Sequence, residues 1–85
     1  YIYGGGELGR AVLTFLKALK PSVKIELVID RNAKFIKEVM GYRVVTLDEC
    51  IFKDNAVVII ASMSFVDEIV ALLPAAVQHV VRLKK

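Results

Sequence analysis

Three glycines near the start of the chain, Gly4, Gly6 and Gly9, stand in the spacing G-x-G-x-x-G. That spacing suits the holding of phosphates by backbone. The first glycine permits a tight strand-to-helix turn, the second lets the backbone come close to a pyrophosphate, and the third lets a helix pack closely on a sheet. A helix opening at such a turn offers free N–H groups and the positive end of its dipole to an anion. Gly5, Glu7 and Leu8 complete the turn, and Arg10 follows it, where it can reach a phosphate or face solvent. Glu7 would oppose an anion if it pointed inward, and is better read as a favourable charge in a first helical turn.

Asp30 lies 21 residues beyond Gly9, at the end of an apolar run. A carboxylate at that place can accept hydrogen bonds from both ribose hydroxyls of an adenosine. The neighbouring Arg31 could pair with a 2′-phosphate that Asp30 would repel, so NAD is favoured over NADP. The same residues also allow a purely structural role, in which the glycines only turn the chain and Asp30 only caps the next segment through Arg31 and Asn32. Ala61-Ser62-Met63-Ser64 leaves a second apolar run. Its hydroxyls, Ser62 first, are placed to touch a ribose or a sugar, or to cap a helix.

Other reactive groups are sparse. His79 alternates with apolar neighbours and reads as a surface or edge-strand residue. Cys50, the one cysteine, reads as a small buried hydrophobe; it cannot form an internal disulfide, and with one histidine it cannot build a zinc site. None of Tyr1, Tyr3 and Tyr42 has a lysine four residues on, so the Tyr-x-x-x-Lys pair of short-chain dehydrogenases is absent. No acid–base or nucleophilic constellation replaces it.

The elements expected to position these residues alternate along the chain. Residues 1–3 end a first strand. Leu8, Ala11, Val12, Phe15, Leu16 and Leu19 recur at helical spacing, giving a helix from Glu7 to Leu19 that Pro21 closes. Ile25 to Asp30 suits a parallel strand covered on both faces. Residues 33–40 place Phe35, Ile36, Val39 and Met40 on one side of a short helix ended by Gly41. Val44 and Val45 form a third strand, and Thr46-Leu47-Asp48-Glu49 has the form of a capping box opening a helix that reaches Phe52. Ala56 to Ala61 is a central strand. A helix capped by Ser62 or Ser64 follows, with Phe65, Ile69, Leu72 and Leu73 inward, and Val77 to Leu83 is the last strand. The expected fold is α/β: a single doubly wound parallel sheet of about five strands, Rossmann-like, with order 3-2-1-4-5 and parallel crossover connections throughout.

Composition agrees with one small domain spanning residues 1–85. The chain is 56% hydrophobic and 25% charged, with a net charge of +3, and a domain of this size buries only about 60% of its unfolded surface, so an aliphatic core is needed. The lysines are spread out rather than clustered with aromatic residues, which argues against nucleic acid as a partner. No apolar run approaches the roughly 18 residues of a membrane span, and no secretory leader is legible. A cytoplasmic location is expected. The opening on Tyr1 inside a strand suggests a segment of a longer protein, with other domains of that protein as partners and self-association left open.

Taken together, Tyr3-Gly4-Gly5-Gly6-Glu7-Leu8-Gly9-Arg10, Leu27-Val28-Ile29-Asp30, Gly41-Tyr42-Arg43-Val44-Val45 and Val57-Val58-Ile59-Ile60-Ala61-Ser62 resemble the small nucleotide-binding domain at the front of bacterial polysaccharide-biosynthesis proteins. These include nucleotide-sugar epimerase/dehydratases and sugar acetyltransferases, and the domain also stands beside some methyltransferases. The chain is also similar to the NAD-binding domain of redox-sensing repressors. The resemblance implies phosphates at Gly4, Gly6 and Gly9 and ribose recognition at Asp30, with Arg31 and Asn32 where the family often has further acids. The functional expectation is a module that binds NAD(H) or a nucleotide-sugar for a larger sugar- or polysaccharide-modifying protein. The alternatives are the cofactor half of an NAD-dependent oxidoreductase and an NAD-sensing regulatory domain.

Overall fold

The computed structural model describes residues 1–62 and 65–83. Its elements are strand β1 (Ile2–Tyr3), helix α1 (Glu7–Leu19), strands β2 (Val28–Ile29), β3 (Glu38–Val39), β4 (Tyr42–Val45) and β5 (Ala56–Ile60), helix α2 (Val66–Leu72) and strand β6 (Val77–Arg82). They make an α/β unit with one six-stranded, mostly parallel sheet in the order β3-β4-β2-β1-β5-β6. The pairs β1–β2, β1–β5, β2–β4 and β5–β6 are parallel, and β3–β4 is antiparallel.

The expected five-strand sheet is therefore corrected in count and order. The added strand is β3, which occupies part of the segment expected to be a helix over 33–40. Two local causes displace that helix. The chain after β2 turns at once, with the Ala33 N–H on the Asp30 carbonyl and the Phe35 and Ile36 N–H groups both on the Asn32 carbonyl. Farther on, Val39 pairs with Tyr42 across a two-residue loop in which Met40 and Gly41 have φ of 51° and 87°. Two positive φ values in a two-residue loop mark a hairpin turn whose twist matches its strands. Gly41 has the left-handed preference expected of a helix cap and uses it to close a hairpin. Not every connection is thus a parallel crossover.

The helix expected over 46–52 is reduced to a turn. Thr46 and Glu49 do make the reciprocal capping bonds, with the Glu49 N–H on Thr46 Oγ1 and the Thr46 N–H on Glu49 Oε1, both at 3.3 Å. Past them the chain is drawn away by Phe52, whose ring packs on Tyr1 at 4.7 Å between centroids, and by Lys53, whose N–H donates to the Tyr1 hydroxyl. Strand pairing of the run 25–30 is likewise limited to Val28 and Ile29, although Ile25 packs on the core.

Two apolar clusters lie on the two faces of the sheet. Leu13 of α1, fully buried, packs with Ile2, Val28, Val39 and Val44. Ile69 of α2 packs with Val58 and Ile60, flanked by Tyr1, Tyr3 and Phe52. The alternation of Ile2 with Tyr1 and Tyr3 along β1 sends neighbours to opposite faces, as a strand requires. Phe65 and Leu72, expected inward, are exposed, as are Ala11, Phe15 and Leu19 of the helical stripe, while Leu13, which that stripe left out, is the residue α1 buries most fully. Helix α2 begins at Val66 after Phe65 with no side-chain cap. Ser62 stands upstream of that start, and Ser64 lies outside the described residues. No helix among the described residues is long and apolar enough to cross a membrane.

Candidate functional site

The carboxyl ends of β1, β2 and β5 lie side by side, because Tyr3 pairs with both Ile29 and Ile60. The three segments singled out in the sequence leave the sheet there: the glycine turn after Tyr3, Asp30 after Ile29, and Ala61-Ser62 after Ile60. Between them is a cavity of about 300 Å³ whose lining includes Gly4, Gly6, Asp30, Arg31, Asn32 and Ser62.

Each glycine of the spacing meets a different surrounding. Gly4 has φ of +122°, and a Cβ there would stand 2.7 Å from the Ala61 carbonyl oxygen. A Cβ on Gly9 would run into the Gly4 carbonyl, so the first turn of α1 rests directly on the glycine turn. Gly6 faces open space, with nothing within 4 Å of a built Cβ. It also begins α1 without a side-chain cap, the first helical bond running from the Arg10 N–H to the Gly6 carbonyl. Two glycines are thus fixed by packing and one by nothing inside the chain. Glu7 is exposed in the first turn of α1, Leu8 packs against the α1-side cluster, Gly9 is buried, and Arg10 is exposed.

Asp30 is engaged on both oxygens. Oδ2 accepts the Gly5 N–H at 2.7 Å, and Oδ1 accepts the Asn32 N–H at 2.7 Å. The structural role weighed for Asp30 in the sequence is present, through Asn32 and also through Gly5. An ionised carboxylate has about four acceptor positions, so two remain for hydroxyl donors. Arg31 is exposed at the cavity wall. The sequence reading did not single out Tyr3, Ala61, Phe65 or Ile69 as site residues, yet they line the same cavity. Tyr3 and Ala61 were legible from their places at the ends of two apolar runs; Phe65 and Ile69 come from the far side of the sheet. Burial, with the nearby Asp30 carboxylate, pushes the Tyr3 phenol above its ordinary range, against the opposing charge of Arg31.

His79 is exposed on β6 and Cys50 is half-buried, its thiol pushed up by burial; neither lines this cavity. A separate cleft of about 320 Å³ lies at the amino ends of the strands, by Tyr1, Glu26, Lys53 and Asn55. Ligand sites of open α/β sheets lie instead at the carboxyl ends.

No family model, curated protein or solved structure matches the chain. What the fold and the cavity define is a mixed α/β unit with a glycine-lined concavity at the carboxyl end of a mostly parallel sheet.

Proposed function

We propose that this chain is a Rossmann-like, doubly wound nucleotide-binding module that takes NAD(H) or a nucleotide-sugar. The single observation that carries the proposal is the contrast among the glycines. Gly4 and Gly9 are required by close backbone contacts, whereas Gly6, at the uncapped start of a 13-residue helix, fronts empty space. A phosphate is the group for which such a position has room, N–H donors and a favourable dipole. Asp30, held in place by two backbone amides, keeps acceptor capacity for ribose hydroxyls beside it. The placement of α1 and α2 against clusters on opposite faces supports the doubly wound description.

The sequence resemblance extends the proposal to its setting: a module that serves a larger cytoplasmic protein acting on sugars or polysaccharides, with catalysis supplied by other domains. Thermal-shift and calorimetric titrations with NAD, NADP, a UDP-sugar and S-adenosylmethionine test it. Stabilisation by NAD or the UDP-sugar at millimolar concentration is expected. A folded chain that responds to none of them overturns it.

A further inference from the structure

The glycine-lined cavity shares walls with a larger one. On the α2 face, a cavity of about 790 Å³ has Tyr3, Phe52, Phe65, Leu72, Asp48 and Glu68 among its lining residues. Tyr3, Arg31, Phe65 and Ile69 line both cavities. Thr46, Leu47 and Cys50, from the turn that follows β4, also line the larger space.

We propose that this second cavity is the nucleobase half of the ligand site, taking a flat ring between aromatic walls while the phosphate rests at Gly6. The inference rests on the nucleotide-binding proposal above and adds where the rest of the ligand goes. About 300 Å³ at the glycine turn is the lower end of what small-molecule sites offer, room for a phosphate and sugar but little else. Three ring side chains, Tyr3, Phe52 and Phe65, border the adjoining space. Ring faces accept any base by stacking. Phe65 is 67% exposed, and its φ of 59° is a costly conformation for a ring-bearing residue; the chain holds that ring at the junction of the two cavities without burying it. Arg31, at the same junction, has a planar guanidinium suited both to a phosphate and to a ring face. Asp48 and Glu68 supply acceptors to an exocyclic amino group, which favours an adenine-type base.

AMP and ribose 5-phosphate separate the two halves. In amide NMR titrations of the 85-residue chain, both compounds are expected to shift Gly6 and Gly9, and AMP alone to shift Phe65, Glu68 and Leu72. AMP is expected to bind about tenfold more tightly than ribose 5-phosphate, as stacking of one base allows. Phe65→Ala is expected to bring AMP down to the level of ribose 5-phosphate. Leu72→Ala, at a second exposed wall position, is expected to weaken AMP alone. Equal affinities for the two compounds, or AMP shifts confined to the glycine turn, overturn the base pocket and leave the nucleotide site standing. Absence of any shift with either compound overturns both.

Discussion

The carboxylate of Asp30 accepts a 2.7 Å hydrogen bond from the backbone N–H of Gly5, a residue 25 positions away in the chain. Its other oxygen takes the Asn32 N–H at 2.7 Å. One side chain therefore ties the glycine turn to the end of β2 and shapes the turn that follows. The residue read from the sequence as a contact to ribose is also what fixes the wall on which a ribose would rest.

Removing that tie should cost stability before any ligand is considered. Hydrogen bonds to charged groups contribute about 1.5–3 kcal/mol each, and Asp30 is only half-buried, so Asp30→Ala should destabilise the fold by about 2–3 kcal/mol in urea denaturation. Asp30→Asn retains one carbonyl acceptor and should fall between that variant and the parent. A loss below about 0.5 kcal/mol for the alanine variant would show that the two bonds do not hold the turn.

Leu13 and Phe15 should respond in opposite ways. Leu13 is fully buried and Phe15 is 58% exposed. Leu13→Ala should cost about 2–5 kcal/mol, and Phe15→Ala about 0.5 kcal/mol or less. For a domain this small the first loss should show as a chain largely unfolded at 37 °C by circular dichroism.

That contrast marks what the sequence could convey. Helical spacing located α1 to its ends, but the stripe of Leu8, Ala11, Val12, Phe15, Leu16 and Leu19 left out Leu13, the residue buried against the sheet, because periodicity sets a face only to within one position on either side. The parallel runs 28–29 and 56–60 and the glycine turn were legible because uninterrupted apolar residues and glycine spacing are local signals. The segment 33–40 was not, since Met40-Gly41 provides positive φ for a helix end and for a hairpin alike. Only the pairing of Val39 with Tyr42 decides between them. Phe65 and Ile69 were missed as site residues because their approach to Tyr3 depends on the packing of α2 across the sheet.

Gly9→Ala should be the most damaging single-methyl change in the turn. The new Cβ would meet the Gly4 carbonyl, which is backbone and cannot swing aside. Lifting α1 to make room would disturb the packing of Leu13 on Ile2 and Val28, so a loss of about 3 kcal/mol or more is expected. Thermal or urea unfolding checks it, and a near-neutral result would show that α1 does not rest on the turn.

Stability should fall on both sides of neutral pH. The Lys53 ammonium bonded to Glu26 and the Thr46 groups bonded to Glu49 hold both carboxyls below the ordinary value of 4.5. A lowered folded value contributes stability that is present above the ordinary value and lost as pH falls toward the folded one. Burial raises the Tyr3 and Cys50 groups above 10.0 and 9.0, and their contribution is present below those values and lost as pH rises past them. Urea midpoints should therefore fall below about pH 5 and again above about pH 9; the Tyr1 ammonium, held below 8.0 by burial, adds a shallower loss as pH falls below 8. Glu26→Gln with Glu49→Gln should flatten the acid limb, and Tyr3→Phe with Cys50→Ala the alkaline limb. An unchanged acid limb in the double variant would assign that loss to other carboxylates.

Gly6→Asp should move stability and binding in opposite directions. Gly6 has φ of −85°, which any residue adopts, and a Cβ there meets nothing within 4 Å. Aspartate is among the best residues at the position before a helix, because its carboxylate accepts the free N–H groups of the first turn and complements the dipole. The fold should gain about 0.3 kcal/mol, since glycine at this position falls only a few tenths short of aspartate. The same carboxylate would occupy the place proposed for a phosphate and repel it, so affinity for AMP, NAD or a UDP-sugar should fall by more than about tenfold. Thermal unfolding without ligand and titration with ligand separate the two effects. A variant that is more stable yet binds as well as the parent would place the phosphate away from Gly6 and remove the observation on which the proposed function stands.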